Sequence, residues 1–393
     1  MDDINIKKRA GIYTPYDLVP GGGERYLLTI AEYLSLNGGY EVSLIFDEIY
    51  SRLRLKQMER ELDVSLDGVK LTTYGKASKE AEGTGRFDVF LSMGNSLTPW
   101  INPLGRRNIY ICQFPFPQND DWIKENALTL KKYDTVIVYS NFVMEHYKNL
   151  LKKYGLPDMP VNVVYPPCGS QTETMKPETK NGLNSDHKII ILTVGRFFSE
   201  GHCKRQDFLI ESFIEMLSLS QDKGLNLADN VELHIAGGIH PTKDGRDFFA
   251  KCKNMAQGHK NIFLYGNIDA LSLKELYAKA DIYWHAAGIN VNSAAHPEML
   301  EHFGITVVEA MAAGCIPIVV NKGGPPEIVR NGIDGFHFNS KEELIEKTLN
   351  LVKMEHKELK SLLENALLRS GEFTKEKFYS QISNQIRSSS RFI

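Results

Sequence analysis

Short apolar runs alternate with amphipathic stretches along most of the 393-residue chain. Runs rich in β-branched residues, such as EVSLIF and TVIVYS, have the length and composition of buried strands, whereas the stretches between several of them have helical spacing of apolar positions. The first strand is predicted in KRAGIYTP, and GGGERYLLTIAEYLSLNG predicts the helix that follows it. This alternation is typical of an α/β protein with mostly parallel sheets.

The alternation is interrupted once, near residues 170–187, where SQTETMKPETKNGLNSDHK is rich in Thr, Ser, Asn, Pro and Lys. A polar segment of this composition indicates a linker between domains. Strands and helices resume with IIILTVGRF and continue to IPIVVN, and FTKEKFYSQISNQIRSS predicts a C-terminal helix. We therefore expect two similar α/β units. Ligands of such sheets bind outside the carboxyl ends of the strands, so the cleft between the units is the expected site.

EHFGITVVEAMAAGCIPIVV, residues 301–320, places two carboxylates around one predicted helix start. The helix is predicted from Ile305 to Ala313, with Glu301 in the loop before it and Glu309 inside it. Unpaired N–H groups at a helix start attract an anion such as a phosphate. A sugar at Glu301, a pyrophosphate at the helix start and a ribose at Glu309 would match a nucleotide sugar. The alternative is an ordinary buried helix whose acids face water.

Two further loops follow predicted strands and carry groups suited to a diphosphate. PGGGER, residues 20–25, offers exposed backbone N–H groups to a ligand, and a flexible turn is the alternative. After the first strand of the second half, Arg196 and Lys204 could neutralise a pyrophosphate and its charge as it leaves, whereas either alone would be ordinary surface charge. His285 and His296 precede Glu301 and could contact a donor sugar, or simply cap a helix or face solvent.

The composition limits the classes of partner. Hydrophobic residues make up 42% and charged residues 24%, and 46 basic against 49 acidic residues give a net charge of −3, so no basic field indicates nucleic acid. The five cysteines are scattered without metal-ligand spacing, which predicts a reducing compartment and no structural zinc. Neither an apolar signal core nor a long apolar run is present. We expect a cytoplasmic protein without a membrane span.

In chain order, PGGGER, VGRF…K, EHFGITVVEAMAAG and NKGGPPEIV resemble the motifs of the retaining glycosyltransferases of family 4, which have the GT-B fold. The acid pair resembles that family's E-x7-E motif. GGGER, VYPPC and LEHFG are most similar to the mannosyltransferases that use GDP-mannose to extend lipid-linked oligosaccharides. The resemblance spans almost the whole chain. It implies an acceptor-side Rossmann-like domain at 1–178, a donor-binding Rossmann-like domain at 179–372, and a C-terminal helix at 373–393 packing back on the first domain.

The resemblance also implies roles for the matched residues. Arg196 and Lys204 would bind the diphosphate and stabilise its departure, Glu301 would contact the donor sugar hydroxyls, and these three form the predicted catalytic set. Glu309 would bind the ribose. The other predicted donor-binding positions are Gly22, Gly23, Ile268 beside the base, Phe303, Gly304 and Ile305. Because basic residues rather than a DxD pair face the diphosphate, neither a metal nor another cofactor is expected.

The chain departs from the family after the strand that reads IYICQFPFP, where Gln113 stands in place of a histidine. Glutamine can hydrogen-bond the acceptor or the sugar but cannot hold a proton at neutral pH. The predicted function is transfer of a hexose, with mannose from GDP-mannose as the best match, to a glycan or lipid-linked acceptor. Three alternatives stay open: a transferase using a UDP-sugar, a catalytically silent nucleotide-sugar-binding partner, and a GT-B epimerase.

A basic amphipathic stretch, NFVMEHYKNLLKKYG at residues 141–155, predicts peripheral contact with the cytoplasmic face of a membrane. The alternative is a domain helix with a solvated basic face.

Overall fold

The protein is represented by a computed structural model that describes residues 7–168, 188–222 and 227–387. The chain forms two compact units, one comprising Met1–Gly169 with Thr374–Ile393 and the other Ser170–Phe373. The predicted linker near 170–187, and with it the domain boundary predicted between residues 178 and 179, lies outside the described residues.

A seven-stranded sheet forms the centre of the first unit. Its strands are β1 (Lys8–Tyr13), β2 (Tyr40–Phe46), β3 (Lys70–Thr73), β4 (Phe87–Gly94), β5 (Gly105–Cys112), β6 (Thr135–Val138) and β7 (Val161–Val163). They lie in the order β3-β2-β1-β4-β5-β6-β7, and every neighbouring pair is parallel. The α-helices that accompany them before the linker are Gly22–Glu32, Arg52–Leu62, Tyr74–Gly83, Asp120–Leu130 and Asn141–Lys153.

The second unit repeats this plan with a six-stranded sheet. Its strands are β8 (Ile189–Val194), β9 (Val231–Gly237), β10 (Ile262–Gly266), β11 (Ile282–His285), β12 (Ile316–Val320) and β13 (Phe336–Phe338). The order is β10-β9-β8-β11-β12-β13, again with every pair parallel. Its α-helices are Gln206–Asp222, Lys243–Ala256, Ala270–Lys279, Ile305–Ala312, Pro325–Ile328, Lys341–Lys353 and His356–Ser370. The prediction of two α/β units with parallel sheets is confirmed.

The strand order reverses direction beside β8 in the second unit. Strands β9 and β10 extend to one side of β8, whereas β11 and the later strands extend to the other. At such a switch point the loops after the two central strands diverge and leave a crevice for a ligand. The loops after β8 and β11 carry Arg196, Lys204 and Glu301, so the topology brings these segments to one edge of one sheet.

The C-terminal helix Lys375–Arg387 belongs to the first unit, as predicted. The Tyr379 hydroxyl donates to Glu32 Oε2 at 2.7 Å, and Lys375 Nζ lies 2.8 Å from the same oxygen. The ring of Phe378 packs edge-on against Tyr26, with ring centroids 4.8 Å apart. Polar and aromatic contacts therefore attach the end of the chain to its first helix.

Local differences from the predicted elements have simple causes. The edge strands β3, which reads KLTT, and β13, which reads FHF, were not predicted because runs of four and three residues are too short to show a periodicity. The first predicted helix is α-helical only as far as Glu32 and continues as a π-helical turn, Tyr33–Asn37. The N–H of Gly38 closes that turn on the carbonyl of Tyr33 at 2.8 Å.

The predicted basic helix is observed as Asn141–Lys153. Its apolar side chains Val143, Tyr147 and Leu151 are buried in the core of the first unit. Its lysines at 148, 152 and 153 are exposed. The arrangement matches the alternative of a domain helix with a solvated face. None of the helices in the described part of the chain is long and apolar enough to span a membrane.

Candidate functional site

The helix that contains Glu309 begins where the sequence predicts it. Gly304 is its N-cap with φ 111°, a conformation that glycine adopts without the steric cost of a side chain, and Gly314 follows the helix end with φ 79°. The helix Ile305–Ala312 is almost entirely apolar and buried on most of its surface. The first N–H groups of any helix lack acceptors within it, so this helix start is suited to a phosphate.

The loop after β12 supports the backbone on which Glu301 lies. The N–H of Gly324 donates to the Glu301 carbonyl at 2.8 Å. A Cβ atom added to Gly323 would lie 2.4 Å from that same carbonyl oxygen, and one added to Gly324 would lie 2.5 Å from Phe303 Cα. Both glycines are therefore needed for this close approach, which explains the GG of the NKGGPPEIV motif in physical terms.

The carboxylate of Glu301 forms the centre of a buried polar cluster. Lys204 Nζ lies 2.5 Å from Glu301 Oε2, and His285 Nε2 lies 3.1 Å from the same oxygen. The side chains of Lys204, Glu301 and His285 are only 16%, 14% and 3% exposed. Two of the three predicted catalytic residues are therefore in direct contact, together with a histidine that was not among the predicted site residues.

Backbone geometry explains how these three groups meet. His285 is the last residue of β11, and Lys204 lies in the loop after the neighbouring strand β8. The aliphatic stem of Lys204 passes over Gly195, where an added Cβ atom would lie 2.5 Å from Lys204 Cγ. Arg205, which follows, donates from Nη1 to the carbonyl of Ile289 at 3.2 Å and so joins the two loops.

The charges of the cluster are set by burial and by Lys204. Burial alone would raise the pKa of Glu301, but Lys204, and then His285, reverse this and hold that pKa well below its usual range. Burial lowers the pKa of His202 to about 4 and that of His302 to about 3. At neutral pH the site therefore contains an ionised carboxylate beside two neutral imidazoles.

Arg196 lies on the same loop as Lys204 and is exposed. The side-chain amide of Gln206 donates to the carbonyls of Gly195 and Arg196 at 3.1 and 3.2 Å, which fixes the start of the loop. His202 lies within electrostatic reach of Arg196, Lys204 and Glu301 together, since all three affect its pKa. Lys204 and Glu301 are therefore in contact, and Arg196 lies on the same loop as Lys204.

Glu309 lies within the helix, and its residue is only 8% exposed. The hydroxyl of Tyr277 donates to Glu309 Oε2 at 3.0 Å. The alternative in which both acids face water is therefore wrong, because Glu301 is largely buried as well. The assignment of Glu309 to a ribose stays a prediction.

Ile268 borders a separate cavity of about 500 Å³ at the carboxyl end of β10. Leu264, Tyr265, Gly266 and Leu276 contribute to its lining, and Ser272, Glu275 and Lys279 add polar groups. The cavity is open to solvent, and its lining is divided between apolar and polar groups. A base at Ile268 stays a prediction.

In the first unit, two separately predicted features are neighbours. Gly22 and Gly23 open the helix Gly22–Glu32, and a Cβ atom added to Gly23 would lie 2.6 Å from Gln113 Oε1. The backbone N–H of Gln113 donates to the carbonyl of Gly94 at 3.0 Å, which ties the end of β5 to the end of β4. Contact of Gly22 and Gly23 with a diphosphate, and of Gln113 with an acceptor or sugar, stay predictions.

Sequence reasoning missed His202 and His302, and it named His285 as a possible sugar contact without including it among the predicted site residues. His202 lies between Arg196 and Lys204 in FFSEGHCK, and His302 directly follows Glu301, so proximity along the chain was the available signal. The rings of His202 and His302 have centroids 5.5 Å apart. His296, in contrast, is exposed and lies 3.2 Å from Glu298. Within the described residues no His, Cys, Asp and Glu cluster could hold a metal ion.

Residues 175–369 match the family model described as "Glycosyl transferases group 1". The chain is 27% identical over 252 residues to the mouse (Mus musculus) protein named "GDP-Man:Man(3)GlcNAc(2)-PP-Dol alpha-1,2-mannosyltransferase", a match that covers 62% of this chain and 46% of that protein. The chain thus spans about half the length of this relative.

Solved structures resemble the chain over almost its full length. A glycosyltransferase from Rickettsia africae ESF-5 aligns with a TM-score of 0.72 at 20% identity, covering 98% of this chain and all of that one. The Anabaena protein HepE, crystallised with UDP and glucose, aligns with a TM-score of 0.64 at 15% identity, covering 97% and 100%. Residues 175–369 therefore carry a group 1 glycosyl transferase domain, and the chain is a glycosyltransferase with the GT-B fold.

Proposed function

We propose that the chain transfers mannose from GDP-mannose, with retention of configuration, to a glycan or lipid-linked acceptor. The observation that carries the proposal is the buried Glu301 carboxylate, paired with Lys204 directly before a helix start suited to a phosphate. The printed activity of the mouse relative supports mannose and GDP as the transferred sugar and nucleotide.

The diphosphate of the donor binds at the start of the helix Ile305–Ala312, where unpaired N–H groups and the helix dipole favour negative charge. Arg196 and Lys204 add two positive side chains on the loop after β8. When the sugar leaves, negative charge develops on the diphosphate, and fixed positive groups stabilise that state without reorganisation. These residues therefore act on the leaving group.

The sugar lies beside Glu301, whose ionised carboxylate accepts hydrogen bonds from sugar hydroxyls. The bond between the anomeric carbon and the phosphate oxygen breaks, and its electron pair stays on the phosphate. An acceptor hydroxyl forms the new bond from the same face and passes its proton to the departing phosphate. Gln113 needs no proton-transfer role in this reaction, so its place in the chain is compatible with transfer.

The nucleoside end of the donor lies toward the other end of the same helix. Glu309 accepts hydrogen bonds from the ribose hydroxyls while Tyr277 orients its carboxylate. The base enters the cavity beside Ile268. An apolar wall with a few polar groups suits a planar heterocycle.

The test is a panel of nucleotide sugars incubated with the protein, followed by detection of released nucleotide and of the sugar product. We expect release of GDP from GDP-mannose, slowly to water and faster when a suitable acceptor is present. Binding without turnover would instead indicate a silent nucleotide-sugar-binding protein, and an altered donor sugar would indicate an epimerase.

A transferase using a UDP-sugar is the second candidate. The structurally similar HepE protein was crystallised with UDP and glucose, so the fold accommodates a pyrimidine nucleotide. Residues that bind phosphates and hydroxyls can bind any nucleotide sugar. Only the base cavity could distinguish a UDP-sugar from a GDP-sugar. Faster nucleotide release from UDP-glucose than from GDP-mannose in the same panel would favour this candidate.

Donor binding is expected to need no divalent metal, because Arg196 and Lys204 supply positive charge to the diphosphate. Calorimetric titration of GDP-mannose into protein treated with a chelator should give the same affinity as titration with magnesium or manganese present. Loss of binding on chelation, restored when the metal is added back, would contradict this expectation.

Peripheral contact with a cytoplasmic membrane face is proposed for the helix Asn141–Lys153. Since its apolar side chains are buried, the attraction should come from its exposed lysines alone and should weaken with salt. We expect binding to anionic vesicles at low salt that is lost when Lys148, Lys152 and Lys153 are changed together to Gln. Absence of vesicle binding at low salt would contradict the proposal.

A further inference from the structure

We propose that His285 is a positioning residue for Glu301. When Lys204 turns to the donor diphosphate, His285 continues to donate a hydrogen bond to the Glu301 carboxylate. The inference rests on the proposed function, because it needs a diphosphate that competes for Lys204. It concerns a residue that does not itself contact the donor in this scheme.

The structure gives Glu301 Oε2 two nitrogen neighbours. Lys204 lies 2.5 Å away and His285 Nε2 lies 3.1 Å away. Lys204 is a flexible side chain in a loop, whereas His285 is fixed in strand β11 and is 3% exposed. A diphosphate carries more negative charge than one carboxylate, so it competes with Glu301 for the lysine ammonium. The lysine side chain can turn toward the diphosphate, whereas the imidazole is held in the strand.

Once Lys204 moves, a buried carboxylate would be left without a hydrogen-bond donor unless His285 remained. An ionised group left unpaired in a buried site is strongly destabilised, and its orientation toward the sugar would no longer be defined. The N–H of His285 Nε2 therefore keeps Glu301 both ionised and aimed during the reaction. Without it, Glu301 would retain Lys204 at the expense of the diphosphate.

The other nitrogen of His285 supports a role beyond packing. His285 Nδ1 is buried and has no hydrogen-bond partner among the described residues. A buried polar atom without a partner reduces stability, and a leucine of similar size would avoid that penalty. The contact that Nε2 makes with Glu301 is the evident gain from a histidine at this position.

The test compares His285→Leu, which removes the donor, with His285→Gln, which can place an amide N–H near the same carboxylate. We expect His285→Leu to lower kcat on the order of tenfold to a hundredfold, and His285→Gln to recover most of that loss. Melting temperatures should change little, because Lys204 still pairs with Glu301 in the free protein and the loss of the Nε2 contact is offset by removal of the unpartnered Nδ1. His337→Leu, which removes a half-buried histidine that contacts the Val329 carbonyl in the same unit, should leave kcat unchanged.

A double-mutant cycle separates positioning from packing. If His285 acts through Glu301, adding His285→Leu to Glu301→Gln should lower kcat little beyond Glu301→Gln alone. If the wild-type protein transfers the sugar but the two losses in kcat multiply in the double variant, the inference is overturned and the proposed function remains intact. A wild-type protein that binds no nucleotide sugar and transfers no sugar would overturn the proposed function and this inference with it.

Discussion

Replacing Lys204 with Met is expected to remove most transferase activity and to destabilise the second unit. Lys204 and Glu301 form a largely buried ion pair, with side chains 16% and 14% exposed. Removing one partner of a buried pair costs about 3–5 kcal/mol of unfolding free energy, and the remaining His285 contact places the expected loss at the lower end. If Lys204 stabilises the leaving diphosphate as proposed, its loss should lower kcat about 10²–10³-fold. Urea unfolding and steady-state kinetics measure both effects.

The same variant should also unfold at a higher pH on acidification. In the wild type the pKa of Glu301 lies below its unfolded value, so its contribution is fully present above that unfolded value. It is lost as the pH falls through the lower folded pKa. Without Lys204, mainly His285 opposes the effect of burial on the pKa of Glu301. The folded pKa of Glu301 therefore rises, and the loss of stability begins at a higher pH.

Lys251→Met is the matched control for Lys204→Met. Lys251 lies 2.7 Å from Asp207 in the same unit, but its own side chain is 54% exposed. Asp207 is 13% exposed but keeps its contact with Arg205 Nε at 3.2 Å, so removing the exposed lysine should cost only about 0–1 kcal/mol and leave activity nearly unchanged. Equal destabilisation by the two variants would show that burial of the Lys204 pair is not the cause.

Glu301→Gln and Glu309→Gln are expected to fail in different ways. In the proposed function Glu301 contacts the sugar whose bond breaks, where positive character develops on the ring, so its charge would matter more in the transition state than in the bound donor. Glu301→Gln should therefore lower kcat by about ten- to a hundredfold with a smaller change in KM. In the same proposal Glu309 holds a ribose that is unchanged in the reaction, so Glu309→Gln should mainly weaken binding of the donor and of free GDP by a similar factor.

The measurements are kcat, KM and the affinity for free GDP in each variant. Glu309→Gln keeps an oxygen that can accept from the Tyr277 hydroxyl, so the helix should fold normally. Glu298→Gln, three residues before Glu301, is the control and should change none of the three quantities. Weakened GDP binding in Glu301→Gln but not in Glu309→Gln would reverse the two assignments.

Much of the fold follows from local pattern. The strands β1, β2 and β8 and the helix Ile305–Ala312 form where their apolar runs predict them, and glycines precede and follow the helix. The short edge strand β13 was not predicted, because its three residues become a strand only through pairing with β12. The E-x7-E spacing and the order of the glycine-rich motifs were likewise sufficient to indicate the family.

The contacts within the site depend on tertiary structure. Sequence placed Lys204 and Glu301 on different loops, 97 residues apart, and could not indicate that they form an ion pair. Their contact arises because β8 and β11 are neighbours at the switch point of the sheet, which brings both loops to one edge. His285 acquires its contact in the same way, as the last residue of β11 facing Glu301. Local sequence thus determined which groups are present, whereas strand order and burial determined which of them form the ion pair and the hydrogen bond of the site.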